Sequence, residues 1–580
     1  MQKICHLPSD RQMLRVKRQL LEAMMFEGLI SFEEYKTEDD KHSLFYIYGK
    51  KRKYQCEGRR TVFDRIRIKE NSLLHVKNQR LIETTIEDLL EELCSNHKDK
   101  AQLQHELRQT VKLCQWNEAH LSQPYSRRDS SYEELESEII EGHLYHPCFK
   151  SRTNFTIKDH ELYGPEAKHS FSLVWLAVRR SKIQISMLEE EKMFWQKELG
   201  LHMWKELIMQ LELLGCHFDE YTFLPVHPWQ WNSLKEELTE YMERKDIYLL
   251  GVKGEQYRAT QSVRTLINKT NPKKAHLKLS MNMVNTSSLR TLKSYSVCSA
   301  PYISSWIERI IQSDSYLKNE VQLAILKEYA GIIFEPEEVQ SKNVEGQLGC
   351  IWRESVHTHL NEKEQAVPFT ALMLVEQDGK PFIAPWLTYY GIEEWINQFI
   401  QISVIPIWHL LVAHGIAVEA HAQNMILLHK DGWPNRVVLR DFHESIEYTK
   451  EYIADKKLVP HFENIHKDYE HAPEDVYYWM SKVEALRELV MDTLFVFHLS
   501  ELSSLLQEHY EYKEETFWIQ VTMAIDKHLS KFPELKKRHD MLQYNKRKIY
   551  VESLLKKKIQ GVEEGNFRHL VRNIFYREEG

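Results

Sequence analysis

The sequence predicts an α+β protein of several domains, on three observations. The chain is 580 residues long, more than one hydrophobic core accommodates, so two to four packed domains are expected. Apolar residues recur at three- and four-residue spacing from Arg11 to Gly28 and from Glu83 to Gln123, whereas Ser43 to Val76 alternates in strand fashion. From Trp386 to Gly580 the spacing is again helical, apart from one hairpin near its start. The polar stretch from Gln123 to Ser137 closes the first block, and the next, up to about Pro385, holds most of the Arg, Lys and hydroxyl clusters. Three domains follow, over residues 1–135, 136–385 and 386–580.

Composition narrows the class. Hydrophobic residues make up 42% and charged residues 28%, and 19 Gly and 17 Pro are too few for long linkers or a low-complexity tail. A formal charge of −8 and a pI near 6.4 disfavour nucleic acid as the main partner, while a local cationic pocket for an anion is still compatible with them. The eight cysteines, Cys5, Cys56, Cys94, Cys114, Cys148, Cys216, Cys298 and Cys350, form no C-x-x-C pair and read as reduced thiols. The first thirty residues are charged helix material, not a signal peptide, and no apolar run is read as approaching membrane-spanning length. A cytoplasmic protein without membrane contact is expected. Phe399 to Leu411 reads as a buried helix ending at Gly415.

Val418 to His443 carries the strongest chemical signal. Met425 to His429 is apolar enough for a buried strand, Asp431 to Asn435 is dense in turn formers, and Arg436 to Arg440 is a β-branched return strand. Antiparallel pairing brings Asn424 and Asp441 to one end of the ribbon, where an amide oxygen and a carboxylate can share a Mg²⁺ that also carries phosphate oxygens. The plain alternative makes His421 a core histidine and Gln423 and Asn424 turn residues. Against it stands the accumulation of Glu419, His421, Gln423, Asn424, Arg440, Asp441 and His443 among apolar residues, since buried polar groups need partners.

In the middle block, TQSVRTL (Thr260 to Leu266) and KLSMNMVNTSSLRTL (Lys278 to Leu292) both place a hydroxyl two residues before an arginine. On an extended strand the two side chains share a face, an arrangement suited to phosphate or carboxylate oxygens, and Lys278 adds a point charge. The competing reading is a solvent-facing row of Ser and Thr on a sheet. Gly142 to Phe155 gathers His143, His146, Lys150 and Arg152 around His-Pro, a loop able to clamp a polyanion. Two histidines without a nearby carboxylate or cysteine make a poor zinc set. PVHPWQW, Pro225 to Trp231, is assigned a structural role.

The spacing from Glu419 to Asn424, then Asp441-Phe442 after a hairpin, partly resembles the catalytic loop of kinases. Here the acid is Glu and no G-x-G-x-x-G loop precedes a strand lysine, so a small-molecule kinase is the second reading. Taken in order, GHLYHPCFKSR, QSVRT with KLSMNMVNTSSLRT, and EAHAQN with RDF resemble the NRPS-independent siderophore synthetases, the aerobactin-synthetase (IucA/IucC) family, from about Gly142 to His443. The resemblance implies a cupped hand of thumb, fingers and palm. Its implied activity uses ATP and Mg²⁺ to adenylate citrate or a related carboxylate, after which an amine or hydroxyl displaces AMP. Implied partners are small carboxylates and amines or polyamines, in a homodimer.

By the same resemblance, Ser262, Arg264, Thr265 and Lys278 hold ATP, with contacts from Gln423, Asn424 and Asp441. Thr286, Ser287, Arg290 and His421 grip the carboxylate, with His146, Lys150 and Arg152 closing the anion pocket. Asn424, Asp441 and Glu419 bind Mg²⁺, and His421, Arg290 and Lys278 are the catalytic set. The chemistry agrees, because attack of a carboxylate on a phosphate brings two anions together and needs cations to offset their repulsion. His421 fits either an oxyanion donor or the base that deprotonates the amine. A non-catalytic siderophore-binding protein is the third reading, and it predicts loss of these polar residues.

Overall fold

The computed structural model describes residues 8–37, 42–77, 80–93, 97–122, 124–336, 343–560 and 567–577. Cys5, Cys94 and Gln123 therefore lie outside the described residues. The other six cysteines are free and buried, and burial pushes the Cys148 and Cys350 thiols up.

Helix Pro8–Phe26 and helix His97–His120 pack together beside a six-stranded antiparallel sheet built from Ser31 to Glu83. Strand Ser43–Tyr48 alternates buried and less buried positions, which turns Phe45 and Ile47 inward.

An eight-stranded antiparallel sheet forms the middle of the molecule. Its order is Ile183–Met187, Glu328–Phe334, Gly349–Arg353, His276–Leu279, Thr265–Asn268, Ile247–Ala259, Phe171–Arg179 and Tyr221–Val226. Both faces are covered. Cys350 and Ile332 face a core with Trp195 and Leu207 of helix Glu191–Leu213, while Ile351 and Ile333 face Val297 and Ala300 of helix Ser294–Ser313. That second helix comes so close that a Cβ on Gly331 would lie 2.4 Å from the Val297 carbonyl oxygen.

Met425–Lys430 and Trp433–Leu439 pair antiparallel within a four-stranded sheet completed by Gln365–Pro368 and Ala324–Ile325. The turn is shorter than the sequence reading has it. Asp431 and Gly432 alone make it, with φ of 50° and 87°, because two residues of positive φ match the twist of the strands. Trp433, Pro434 and Asn435 belong to the return strand, where the register shifts beside His429 and tolerates the proline.

Helix Ile392–His409 continues through a π turn, Leu410–His414, to Gly415 at φ 76°. The reading that no apolar run approaches spanning length needs correction: Ile392–His414 (23 residues) and Val483–Tyr510 (28 residues) each reach a mean hydropathy of 1.4. Each has 78% of its most apolar window buried within the protein, so a helix apolar on all sides here answers to a core surrounding it. That core is shared along the chain. Leu20 and Met24 of the first helix belong to the same apolar cluster as Leu499, Trp518 and Phe575. Arg65, buried, donates to Glu501 Oε1 at 2.8 Å and to the Val496 carbonyl at 3.1 Å.

Candidate active site

The central strands set the site. Thr265 stands directly opposite Lys278, and Lys278 opposite Ile351. Lys278 donates to Asp441 Oδ1 at 2.9 Å, and Arg353, closing the next strand, donates to Asp441 Oδ2 at 2.7 Å. Burial alone would raise Asp441, but Arg353 and Lys278 hold its carboxyl well below the usual range. The same burial lowers the Lys278 ammonium more than Asp441 restores it. Asp441 sits at φ 64°, a left-handed conformation uncommon outside glycine, two residues past the end of the return strand. Glu328 fixes the following backbone by accepting from the Phe442 and His443 N–H groups at 3.2 and 3.1 Å, and its other oxygen lies 2.8 Å from His443 Nδ1. Ligand atoms of Glu328, Asp441 and His443 lie within 4.8 Å of one another, close enough for one cation.

The hairpin brings Asn424 beside this group. Arg440 N–H donates to the Asn424 carbonyl, while Arg440 Nη1 reaches Tyr132 Oη and Glu136 Oε1, each at 2.6 Å. Asn424 Nδ2 donates to the Glu419 carbonyl at 3.0 Å, which leaves Oδ1 as the amide atom available to a cation. The Glu419 carboxylate accepts from Ser445 Oγ at 2.6 Å, so the structure groups Asp441 with Glu328 and His443 instead of with Glu419. His421 accepts the Gln423 N–H on Nδ1 at 3.1 Å, and its Nε2 lies 3.7 Å from Glu419. The Gln423 side chain is exposed and its carbonyl receives Arg440 Nε at 2.7 Å.

Two arginines complete the bowl. Arg264 Nη1 donates to the Thr291 carbonyl at 2.7 Å, and Arg290 Nη2 to the Asn285 carbonyl at 2.8 Å. Neither has an ion-pair carboxylate among the described residues, and the Nε of each is buried without a partner. Burial, then the charge of Arg264, push the Arg290 guanidinium down to about 9. The Leu279 N–H donates to the Arg264 carbonyl at 2.9 Å and the Met281 N–H to the Arg290 carbonyl at 3.0 Å, so both arginines flank the end of the strand that carries Lys278. Their local geometry departs from the extended pairing the sequence suggests. Ser262 and Arg264 lie in a tight turn through Val263 at φ 64°, with Ser262 Oγ 2.9 Å from Thr265 Oγ1, and the strand begins only at Thr265. Ser288 lies in a two-residue strand whose turn is Thr286 (φ 63°) and Ser287, with Arg290 just beyond it.

The Gly142 to Phe155 loop is built differently from the sequence reading. Lys150 and Arg152 are buried and both pair with Glu166, Arg152 through two bonds of 2.8 Å. Glu166 offsets one of their two charges and holds both side chains inside the protein, turned to it and not to an open pocket. His146 is wholly buried, its Nδ1 accepts the Cys148 N–H at 3.1 Å, and burial holds it well below the ordinary histidine range, so it meets any ligand as a neutral ring. The loop instead braces the Arg290 hairpin, as Thr153 N–H donates to the Val284 carbonyl at 3.0 Å. The Thr286 carbonyl accepts Lys558 Nζ at 2.8 Å. In PVHPWQW, His227 caps helix Pro228–Leu234, and Gln230 Oε1 accepts the Asn282 N–H at 2.8 Å. Glu328 and Arg353 escaped the sequence reading. Each is a charged residue terminating an apolar strand, the only local sign of their place.

The IucA / IucC family model matches residues 131–374, and a model described as ferric iron reductase FhuF-like transporter matches residues 393–566. The citryl-spermidine/3,4-dihydroxybenzoyl-citryl-spermidine:spermidine ligase of Bacillus anthracis is 38% identical, over 97% of this chain and 93% of its own length. The chain belongs to the IucA/IucC family of siderophore synthetases. Another relative, the 2-[(L-alanin-3-ylcarbamoyl)methyl]-3-(2-aminoethylcarbamoyl)-2-hydroxypropanoate synthase of Staphylococcus aureus, is 30% identical over 91% of this chain and 87% of its own. The crystal structure of the petrobactin biosynthesis protein AsbB from Bacillus anthracis superposes with a TM-score of 0.91 at 37% identity, covering 98% of this chain and 96% of that one. The aerobactin synthetase IucC of Klebsiella pneumoniae shares the IucA/IucC fold at a TM-score of 0.81 and 21% identity, each chain covered to 98%.

Proposed function

We propose that the protein is an ATP-dependent ligase of siderophore biosynthesis that adenylates a carboxylate of citrate or a citrate derivative and joins it to an amine, releasing AMP and pyrophosphate. The observation that carries this reading is the pair Arg264 and Arg290, sunk beside Lys278 and Asp441 without carboxylates of their own. Such cations are costly unless an anion arrives, and two anionic substrates supply that need. Arg264, with Ser262 and Thr265, faces phosphate oxygens. Arg290 faces the carboxylate, whose oxygen attacks the α-phosphorus as pyrophosphate leaves. The amine nitrogen then attacks the acyl carbon, AMP departs, and the nitrogen loses a proton.

Asp441, Glu328 and the Asn424 oxygen fit a Mg²⁺ site in donor type, being hard oxygens beside phosphate-binding cations. Mg²⁺ bound there with ATP offsets phosphate charge. Since His421 Nδ1 accepts a backbone N–H, the neutral ring carries its proton on Nε2, which suits it to donate to the acyl oxygen and not to act as base. The likeness to a spermidine ligase supports a polyamine as the nucleophile. In this reading the N-terminal sheet, the eight-stranded sheet and the C-terminal helices are thumb, fingers and palm, and the reaction is cytoplasmic, where ATP is.

The test is incubation with ATP, Mg²⁺ and citrate plus hydroxylamine or spermidine. AMP with a citryl hydroxamate or citryl-spermidine is expected. ADP with a phosphorylated acceptor would replace this reading by a kinase, and no turnover of nucleotide with citrate or its monoamides would leave a binding protein.

A further inference from the structure

Three side chains from two helix ends converge on one point. Asp314 caps helix Ser294–Ser313; its Oδ1 accepts the Leu317 N–H at 2.8 Å, leaving Oδ2 for two histidines. His409 Nε2 lies 3.0 Å and His414 Nε2 2.9 Å from that single oxygen, and the three ligand atoms fall within 4.8 Å of one another. Five residues apart on an α-helix, His409 and His414 would stand about 140° apart around the axis. The π turn over Leu410–His414 brings His414 round toward His409. Gly415 locks the turn, since at φ 76° a Cβ there would lie 2.3 Å from the Tyr452 carbonyl oxygen.

The surroundings hold the rings. His409 Nδ1 lies 2.7 Å from His528 Nε2, a contact on the ring's far nitrogen that fixes its orientation. Tyr316 and Phe532 pack on His409 at centroid distances of 4.8 and 5.0 Å. Lys531 stacks over Tyr316 and pairs with Glu320, so that ammonium is already engaged. Asp314 and His414 keep 15% and 19% of their side chains exposed, which leaves a path to solvent.

We propose that Asp314, His409 and His414 bind a first-row divalent transition ion of the Zn²⁺ class, with water as a further ligand. Two imidazole nitrogens and one carboxylate oxygen are the donor types such ions prefer and Mg²⁺ does not. A tetrahedral ion with bonds of about 2.05 Å separates its ligand atoms by about 3.3 Å, so the two oxygen–nitrogen distances of 3.0 and 2.9 Å need to widen by only a few tenths of an ångström.

The experiment titrates chelator-treated full-length protein with Co²⁺, followed by visible absorption, and then displaces it with Zn²⁺. The expected result is a saturable signal that Zn²⁺ abolishes and excess Mg²⁺ does not. His414→Gln and Asp314→Asn, the latter keeping an acceptor for Leu317, should weaken binding at least tenfold, and Asp441→Asn should leave it intact. Zn²⁺ should raise the melting temperature of the unaltered protein and of Asp441→Asn but not of the other two variants. No saturable signal, or a signal lost only in Asp441→Asn, would reduce the group to a hydrogen-bonded cluster.

Discussion

Arg264 and Arg290 have similar partners, one backbone carbonyl each, yet sit on different walls of the bowl, one in the turn before Thr265 and one beyond the Thr286-Ser287 turn. Arg290→Ala should therefore raise the KM for the carboxylate by roughly 10- to 100-fold, the worth of a charge-assisted hydrogen bond, with ATP affinity unchanged. Steady-state kinetics with each substrate varied separately checks the division, and a collapse of ATP affinity alone would reverse it. Arg264 and Arg290 were visible in the sequence as arginines two residues behind a hydroxyl, and Asn424 and Asp441 as polar residues at one end of an apolar hairpin; the structure pairs Lys278 with Asp441 and sets Arg440, next to Asp441, on the Asn424 carbonyl. Glu328 and Arg353 were not, because a charge opening EYAGIIF or closing GCIWR reads as the point where a strand meets water; only the folded chain brings Arg353 to Asp441. Lys150 and Arg152 misled for the opposite reason. The Glu166 they share lies beyond the loop, where no local pattern ties it to them.

At the scale of elements, periodicity located the first helix, the N-terminal strands and the end of the buried helix at Gly415. It missed the two-residue turn, since Trp433, Pro434 and Asn435 have turn-forming composition but are held in a strand by pairing with Met425–Lys430. It also gave no hint of how the first helix docks. Glu27, just past that helix, accepts from the Leu555 and Lys556 N–H groups at 2.8 and 2.7 Å and from Tyr145 Oη at 2.6 Å. Burial pushes Glu27 up to about 7, outweighing these hydrogen bonds. A folded-state value above the unfolded one means the native state holds the proton more tightly, so this stabilisation is complete below the unfolded carboxyl range and is lost as pH rises through about 7. Its slope is at most about 1.4 kcal/mol per pH unit. Thermal melts between about pH 5 and pH 8 should show the decline, and Glu27→Gln should flatten it; an unchanged profile would mean Glu27 does not titrate there.

Across the whole molecule, the first and last segments are one body in the energetic sense, with Phe63 against Trp518 at 5.0 Å and Arg65 buried on Glu501. Arg65→Ala strands the Glu501 carboxylate with Arg67 as its remaining ion pair, and a loss of up to about 3–5 kcal/mol is expected. Hydrogen exchange should then show helix Pro8–Phe26 and helix Ser500–Tyr510 losing protection together. Loosening of one alone would mean two independent units. The sequence predicted several domains but could not show this closure, because pairing between distant segments leaves no trace in local spacing. The shared cluster also has a consequence in time. A ribosome adding roughly 5–20 residues per second needs roughly half a minute to two minutes to reach Phe575 after Val16 has been made. Throughout that interval the apolar side of the first helix lacks its C-terminal partners, so the newborn chain depends on the six-stranded sheet, or on a chaperone, to keep Leu20 and Met24 from the wrong company.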